Sequence, residues 1–276
     1  MYSLLRFLPR NHLSYIFGRL ASTRPPQFIA GPLNRTFANT FGANLDESAL
    51  PPEQYRSLQE YFLRDLKPGL RPIGPGVVSP ADGKVVEHGP IDHDRLIQAK
   101  GKYYSLKALV RDEKLATAFA GGYFVTVYLA PKNYHHVHSP LDGEVTSCYY
   151  IPGTLWPVNN WSVENVSELF CVNERLITVL QTAIDLVAVV MVGATNVGRI
   201  SVTYDTLESN TLSRLRGRFP PLVKRDYTPR PTLRKGDRLG SFHLGSTVVL
   251  LFQHHKFTPG PGCTPGEIRF GQTISE

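Results

Sequence analysis

The feature that most constrains the fold is the apolar run Val248-Val249-Leu250-Leu251-Phe252, entered through Gly240-Ser241-Phe242-His243-Leu244-Gly245-Ser246-Thr247. A β-branched and aromatic run of this length behind a Gly-rich turn predicts a buried strand. Ser246 then stands at the mouth of that strand, and Gly245, having no Cβ, leaves the carbonyl between them open to close approach. A serine hydroxyl lies one residue from its own preceding carbonyl, so attack on that carbonyl is intramolecular; good alignment is worth ~7–11 kcal/mol of barrier. The hydroxyl still needs a base to become a nucleophile. Taken alone, a Gly-Ser pair reads first as an ordinary turn into a core strand.

Earlier in the chain, Asn133-Tyr134-His135-His136-Val137-His138 carries three histidines in four residues. In an extended segment His136 and His138 point to one face and His135 to the other. Such a cluster is a candidate base, a metal site or a surface tract. Short β runs separated by Gly, Pro and Asp dominate from residue 84 onward: 84–86, 124–129, 177–180 and 187–192. The motif SPxDGxV occurs twice, at 79–85 and 139–145, which marks two similar tight turns or a duplicated half-motif. Between Pro51-Pro52 and Lys67-Pro68 the stripe Tyr55, Leu58, Phe62 and Leu66 predicts a packing helix, with Arg56, Glu60 and Arg64 elsewhere around it. The expected fold is α+β, with a mainly antiparallel β core, sandwich- or barrel-like, behind N-terminal helices.

The GDRLGSFHLGST stretch is similar to the self-processing site of phosphatidylserine decarboxylases. The resemblance extends through SPADGKV at 79–85, QAKGKYYSLKALV at 98–110, YLAPKNYHHVHSPLDGEV at 128–145, IPGTLWPVN at 151–159, LFCVNER at 169–175 and VGATNVGRI at 192–200. It implies that His138 is the base for Ser246, that Asp82 holds the His138 ring, and that His135 serves decarboxylation. On turn statistics Asp142, the rival acid, reads as a turn residue. The resemblance further implies cleavage between Gly245 and Ser246 into a large chain (1–245) and a small chain (246–276), with Ser246 becoming a pyruvoyl group. That ketone would condense with the amine of phosphatidylserine and take up the electrons left by carbon dioxide, giving phosphatidylethanolamine. No metal is implied. The implied partners are phosphatidylserine in membranes and anionic lipid head groups, not nucleic acid, and the implied assembly is a homodimer of processed chains. The implied location is peripheral, on the cytoplasmic face of the bacterial inner membrane, ahead of a mitochondrial one.

Composition bears on the membrane question. The formal charge is +7, and the first acidic residue is Asp46. Residues 1–24 mix Arg6, Arg10 and Arg19 with Leu5, Leu8, Leu13, Ile16, Phe17 and Leu20 at helical spacing, and no apolar run reaches the ~18 residues of a membrane span. A basic amphipathic helix lies on a bilayer; helix packing on the protein body and a transit peptide are the other readings. Residues 1–50 are therefore expected to form an amphipathic membrane-contacting region and 51–276 the decarboxylase domain. Trp156 and Trp161 are read either as an aromatic loop at the membrane or substrate, or as core packing. Residues 205–236 read as a basic loop without periodicity. Cys148, Cys171 and Cys263 have no metal spacing and fit a reducing compartment. Two other classes remain: a zinc hydrolase built on His136 and His138, although HExxH is lacking, and a non-catalytic module for anionic lipid.

Overall fold

The structure, a computed structural model, describes residues 10–99, 101–195, 199–209, 221–243 and 246–276. Two helices open it, α1 (Arg10–Ala21) and α2 (Gln27–Phe41), separated at Pro25-Pro26; α2 ends on Gly42 in the left-handed region. Ser57 caps α3 (Leu58–Phe62) by accepting from the Glu60 amide, and the Glu60 carboxylate reaches back to the Arg56 amide. The helix expected across 51–67 is thus broken into a 3-10 turn, Pro52–Gln54, and the five residues of α3. A separate small core of Ala38, Tyr55 and Tyr61 joins α2 to this segment, and the Asn34 amide donates to the Pro52 and Tyr55 carbonyls.

The strands follow as β1 (Gly83–Pro90), β2 (Arg95–Ala99), β3 (Lys102–Ser105), β4 (Tyr123–Leu129), β5 (His136–His138), β6 (Gly143–Ile151) and β7 (Arg175–Thr182). Then come β8 (Asp185–Val192), β9 (Ile200–Val202), β10 (Val223–Asp226), β11 (Thr232–Leu233), β12 (Arg238–Phe242), β13 (Ser246–Phe252) and β14 (Gly266–Ile268). Among the described residues the main sheet runs β10-β6-β7-β8-β13-β4-β1-β14, with β11 also on β6, every pairing antiparallel. β13 lies mid-sheet and is buried at all seven positions, as a continuously apolar strand must be when both its faces are covered. A second sheet, β5-β12-β9, carries the histidines, and β2-β3 forms a hairpin. The architecture is α+β, and all four β runs read from the sequence fall within strands.

The repeated motif has a structural echo. In each copy the serine hydroxyl donates to the carbonyl two residues on, Ser79 to Ala81 at 2.8 Å and Ser139 to Leu141 at 2.7 Å. The basic stretch 205–236 differs from the loop expected: β10 and β11 add to the edge of β6, while 210–220, with Arg214, Arg216 and Arg218, lie outside the described residues. Trp156 packs against the core, its amide and carbonyl both bonded to the Asn173 side chain at 2.9 Å. The three cysteines are unpaired.

Candidate active site

Pairing of β5 with β12 brings the histidines together. Ser241 stands opposite His136, Gly240 opposite Val137 and Arg238 opposite His138. The amide of Phe242 reaches the His135 carbonyl at 3.0 Å. Gly240 permits the approach of β9: a Cβ there would lie 2.5 Å from the Ser201 carbonyl oxygen. The chain then passes through Leu244 and Gly245, which lie outside the described residues, into β13. Ser246 is wholly buried, and its hydroxyl donates to the Val192 carbonyl. Among the described residues no hydrogen bond joins it to a histidine.

Each ring can be assigned a tautomer, because a carbonyl only accepts and the nitrogen facing it must hold the proton. His138 donates from Nδ1 to the Gly236 carbonyl at 2.8 Å, so Nε2 carries a lone pair, met by the Tyr134 hydroxyl at 3.1 Å. Its ring stacks on Phe270 at 3.7 Å. His136 donates from Nε2 to the Leu63 carbonyl at 2.9 Å and accepts at Nδ1 from Ser241 at 2.6 Å. His135 donates from Nδ1 to the Asn133 carbonyl at 2.8 Å, leaving a buried Nε2 lone pair with no hydrogen-bond partner among the described residues. As the alternation predicts, His136 and His138 both contact the Tyr134 ring, whereas His135 lies against Phe62 at 3.9 Å.

Burial sets the charge of these rings. It pushes His136 and His138 down to about 4. His135 is held well below the usual imidazole range, first by burial and then by the charge of Arg64. All three are neutral at pH 7, the state in which a free ring nitrogen accepts a proton.

Asp82 is buried with His138 but is linked to it at one remove. Its carboxylate accepts from Arg71 Nε at 2.9 Å and from the Phe270 amide at 2.8 Å, and Phe270 presents its ring to His138. Arg71 also donates to Glu47 at 2.6 Å. Burial opposes the charge of Arg71, but the bonds to both carboxylates outweigh it and raise its pKa. The direct oxygen-to-ring contact implied by the resemblance is replaced by this route, because the guanidinium fork takes the carboxylate oxygens. Asp142 accepts from the Lys235 amide at 2.7 Å, next to Gly236, as a turn residue does.

Several contributors gave no sequence signal. Arg71 and Phe270 lie in irregular segments. His243 accepts from Gln59 at 2.9 Å and donates to Ser201 at 3.0 Å, and burial pushes it down to about 3; its place two residues before Gly245 was the available hint. Arg64, expected on the outside of a packing helix, is 3 % exposed and lies beside His135. Arg64, Arg71, Asp82, Lys132, Tyr134 and Arg269 line a polar cavity of about 400 Å³. Among the described residues no three His, Cys, Asp or Glu side chains converge as metal ligands. His136 and His138 are each bonded at both ring nitrogens, so they do not form a ligand pair.

The comparisons with known proteins agree with one another. The family model for phosphatidylserine decarboxylase matches residues 58–276. A protein of Anaeromyxobacter sp. (strain K) named phosphatidylserine decarboxylase proenzyme is 47 % identical over 99 % of this chain and 96 % of its own. Proteins of the same name from Myxococcus xanthus (strain DK1622) and Brevibacillus brevis (strain 47 / JCM 6285 / NBRC 100599) are 42 % and 37 % identical, over 92 % and 99 % of this chain and 90 % and 96 % of theirs. With the match running from α3 through the histidine strand and Ser246 to the last residue, the chain belongs to the phosphatidylserine decarboxylase family.

Proposed function

We propose that this chain is a proenzyme that cuts its own backbone between Gly245 and Ser246 and then decarboxylates phosphatidylserine to phosphatidylethanolamine. The single observation that carries the reading is Ser246 buried as the first residue of a mid-sheet strand, in a chain whose relatives are named proenzymes. In the first stage the Ser246 hydroxyl leaves the Val192 carbonyl, gives its proton to His138 Nε2 and attacks the Gly245 carbonyl carbon. The peptide bond becomes an ester. Loss of the residue 246 α-proton then expels Gly245 as a carboxylate, and hydrolysis of the resulting dehydroalanine releases ammonia and leaves a ketone. For His138 to serve as base, Tyr134 must yield its place at Nε2. Asp82 acts through Phe270, fixing the face on which His138 rests.

The buried position of residue 246 fits a pyruvoyl group, and so does the unpartnered Nε2 of His135 on the segment paired with the approach to it. Such a group supplies an electron sink for the pair released with carbon dioxide. His135 Nε2, a lone pair at rest, would take up the proton shed by the substrate ammonium as it condenses and return it to the carbon that loses carbon dioxide. The substrate is reached at a membrane surface: α1 and α2 leave Leu13, Ile16, Leu20, Phe28, Ile29 and Leu33 exposed, and no described helix is long and apolar enough to cross a bilayer. The processed chains are expected to pair as a homodimer at the cytoplasmic face of a bacterial inner membrane.

Mass spectrometry under denaturing conditions tests the reading. The wild-type chain should yield fragments 1–245 and 246–276, the smaller beginning with a ketone. Ser246→Ala should run as one chain of 30.8 kDa without a carbonyl-reactive terminus. An active wild-type preparation that remains uncut, with an unaltered serine at 246, overturns the proposal.

A further inference from the structure

The two groups that backbone cutting needs are both held by other partners. The Ser246 hydroxyl donates to the Val192 carbonyl, and the Tyr134 hydroxyl lies 3.1 Å from His138 Nε2. Because His138 Nδ1 donates to the Gly236 carbonyl, Nε2 holds no hydrogen and Tyr134 must be the donor. Burial raises the pKa of Tyr134, which keeps the phenol protonated. A neutral ring nitrogen offers one lone pair, where a carbonyl oxygen offers two. Tyr134 and Ser246 therefore cannot both use Nε2, and while the first bond stands the serine proton has nowhere to go. Tyr134 also has space to leave. It precedes β5 by two residues and lies outside the β5-β12 ladder. With Leu66 and Arg71 it lines two cavities, one of about 400 Å³ that reaches Asn44 and Glu47, the other of about 410 Å³ that reaches Lys67 and Arg238. A ring flanked by two cavities can swing, as one locked in a close-packed interior cannot. Phe270 meanwhile stays stacked on the other partner of this contact, the His138 ring, at 3.7 Å, so the base keeps its orientation when Tyr134 departs.

We propose that Tyr134 is a positioning residue that restrains self-cleavage: its hydroxyl keeps the His138 lone pair occupied, and its withdrawal into a flanking cavity admits Ser246. The inference rests on the function proposed above, with His138 as the base. Withdrawal breaks one buried hydrogen bond and leaves Nε2 unsatisfied until the serine hydroxyl arrives. The rate of cutting then scales with the fraction of chains in which Nε2 is free. A relay, in which Tyr134 carries the proton from Ser246 to His138, makes the opposite prediction, because it needs the hydroxyl. The bond from Ser246 to the Val192 carbonyl favours the restraint.

The test follows the full chain from the moment of synthesis. Wild type, Tyr134→Phe and a chain with 3-fluorotyrosine at position 134 are made by cell-free translation, and the appearance of fragments 1–245 and 246–276 is timed by denaturing electrophoresis. Tyr134→Phe keeps the ring that packs on His136 and His138 and removes only the hydroxyl. Cutting should accelerate about 2- to 10-fold, the net worth of one hydrogen bond. The fluorinated phenol is more acidic, donates more strongly and should slow cutting. A substitution that only loosens packing slows cutting in either chain, so opposite shifts identify the restraint. Tyr134→Phe cut at the wild-type rate overturns the proposal, and Tyr134→Phe cut more slowly overturns it in favour of the relay. If Tyr134→Phe does not fold, the fluorotyrosine chain decides alone, and cutting at or above the wild-type rate overturns the proposal. Wild type that cuts no more slowly than Tyr134→Phe defeats the restraint and leaves self-processing standing; wild type that is never cut defeats both.

Discussion

His136, His138 and His243 are buried and neutral, with pKa values pushed down to about 4, 4 and 3. In the unfolded chain each would titrate near 6.5. Between roughly pH 6.5 and 4 the unfolded chain therefore binds protons that the folded chain does not, so stability is fully present above that window and is lost as pH falls through it. The loss should be on the order of a few kcal/mol per histidine, read as a falling denaturant midpoint from pH 7 to pH 4.5; a flat profile would contradict the assignment. For chemistry the informative change is His135→Ala. It should still yield two chains, because its ring is not the proposed base, but product formation should drop ~10²–10⁴-fold, the usual worth of a general acid. An uncut His135→Ala chain would end this division of roles. The opposed faces of the histidine segment were legible because side chains alternate along an extended strand whatever surrounds them. Arg64 was not, because its position depends on where the preceding helix stops.

At the scale of elements, the start of that helix was written in the sequence and its end was not. Ser57-Leu58-Gln59-Glu60 has the capping-box spacing, with Ser57 capping Glu60 and the Glu60 carboxylate reaching back to the Arg56 amide, and it starts a helix inside a segment whose apolar spacing suggested one longer element. β8 and β13 were legible because every residue in their apolar runs is buried, so sequence and environment agree. β10 was not, since Lys224, Arg225 and Asp226 are exposed on a sheet edge and carry no apolar alternation. The first helices make a prediction of their own. Phe28, at 77 %, is the most exposed large apolar side chain among the described residues, and Ile29 and Leu33 accompany it on α2. Burying side chains of this kind is worth ~1.5–3 kcal/mol each. Replacing all three with Ser should weaken partition of the full chain onto phosphatidylglycerol-containing vesicles at least ~10-fold, measured by flotation. Unchanged flotation would point the membrane contact elsewhere.

Across the whole molecule the fold class was readable from its strands, but the wiring of the site was not. Phe270 and Gly236 join it through a ring face and a backbone carbonyl, neither of which leaves a motif. Phe270 nevertheless has a large consequence. It belongs to the 31 residues beyond Gly245 (276 − 245), yet its ring supports His138 and its amide holds Asp82 on the other side of the proposed cut. Those same residues supply β13 and β14, and the tail past Phe270 is bonded to 77–79. If the backbone is severed at Gly245, neither product possesses a complete catalytic centre, and each holds the missing part of the other. Their one-to-one ratio would be inherited from translation of a single message. Dilution would not alter it, and no search for a partner would precede activity.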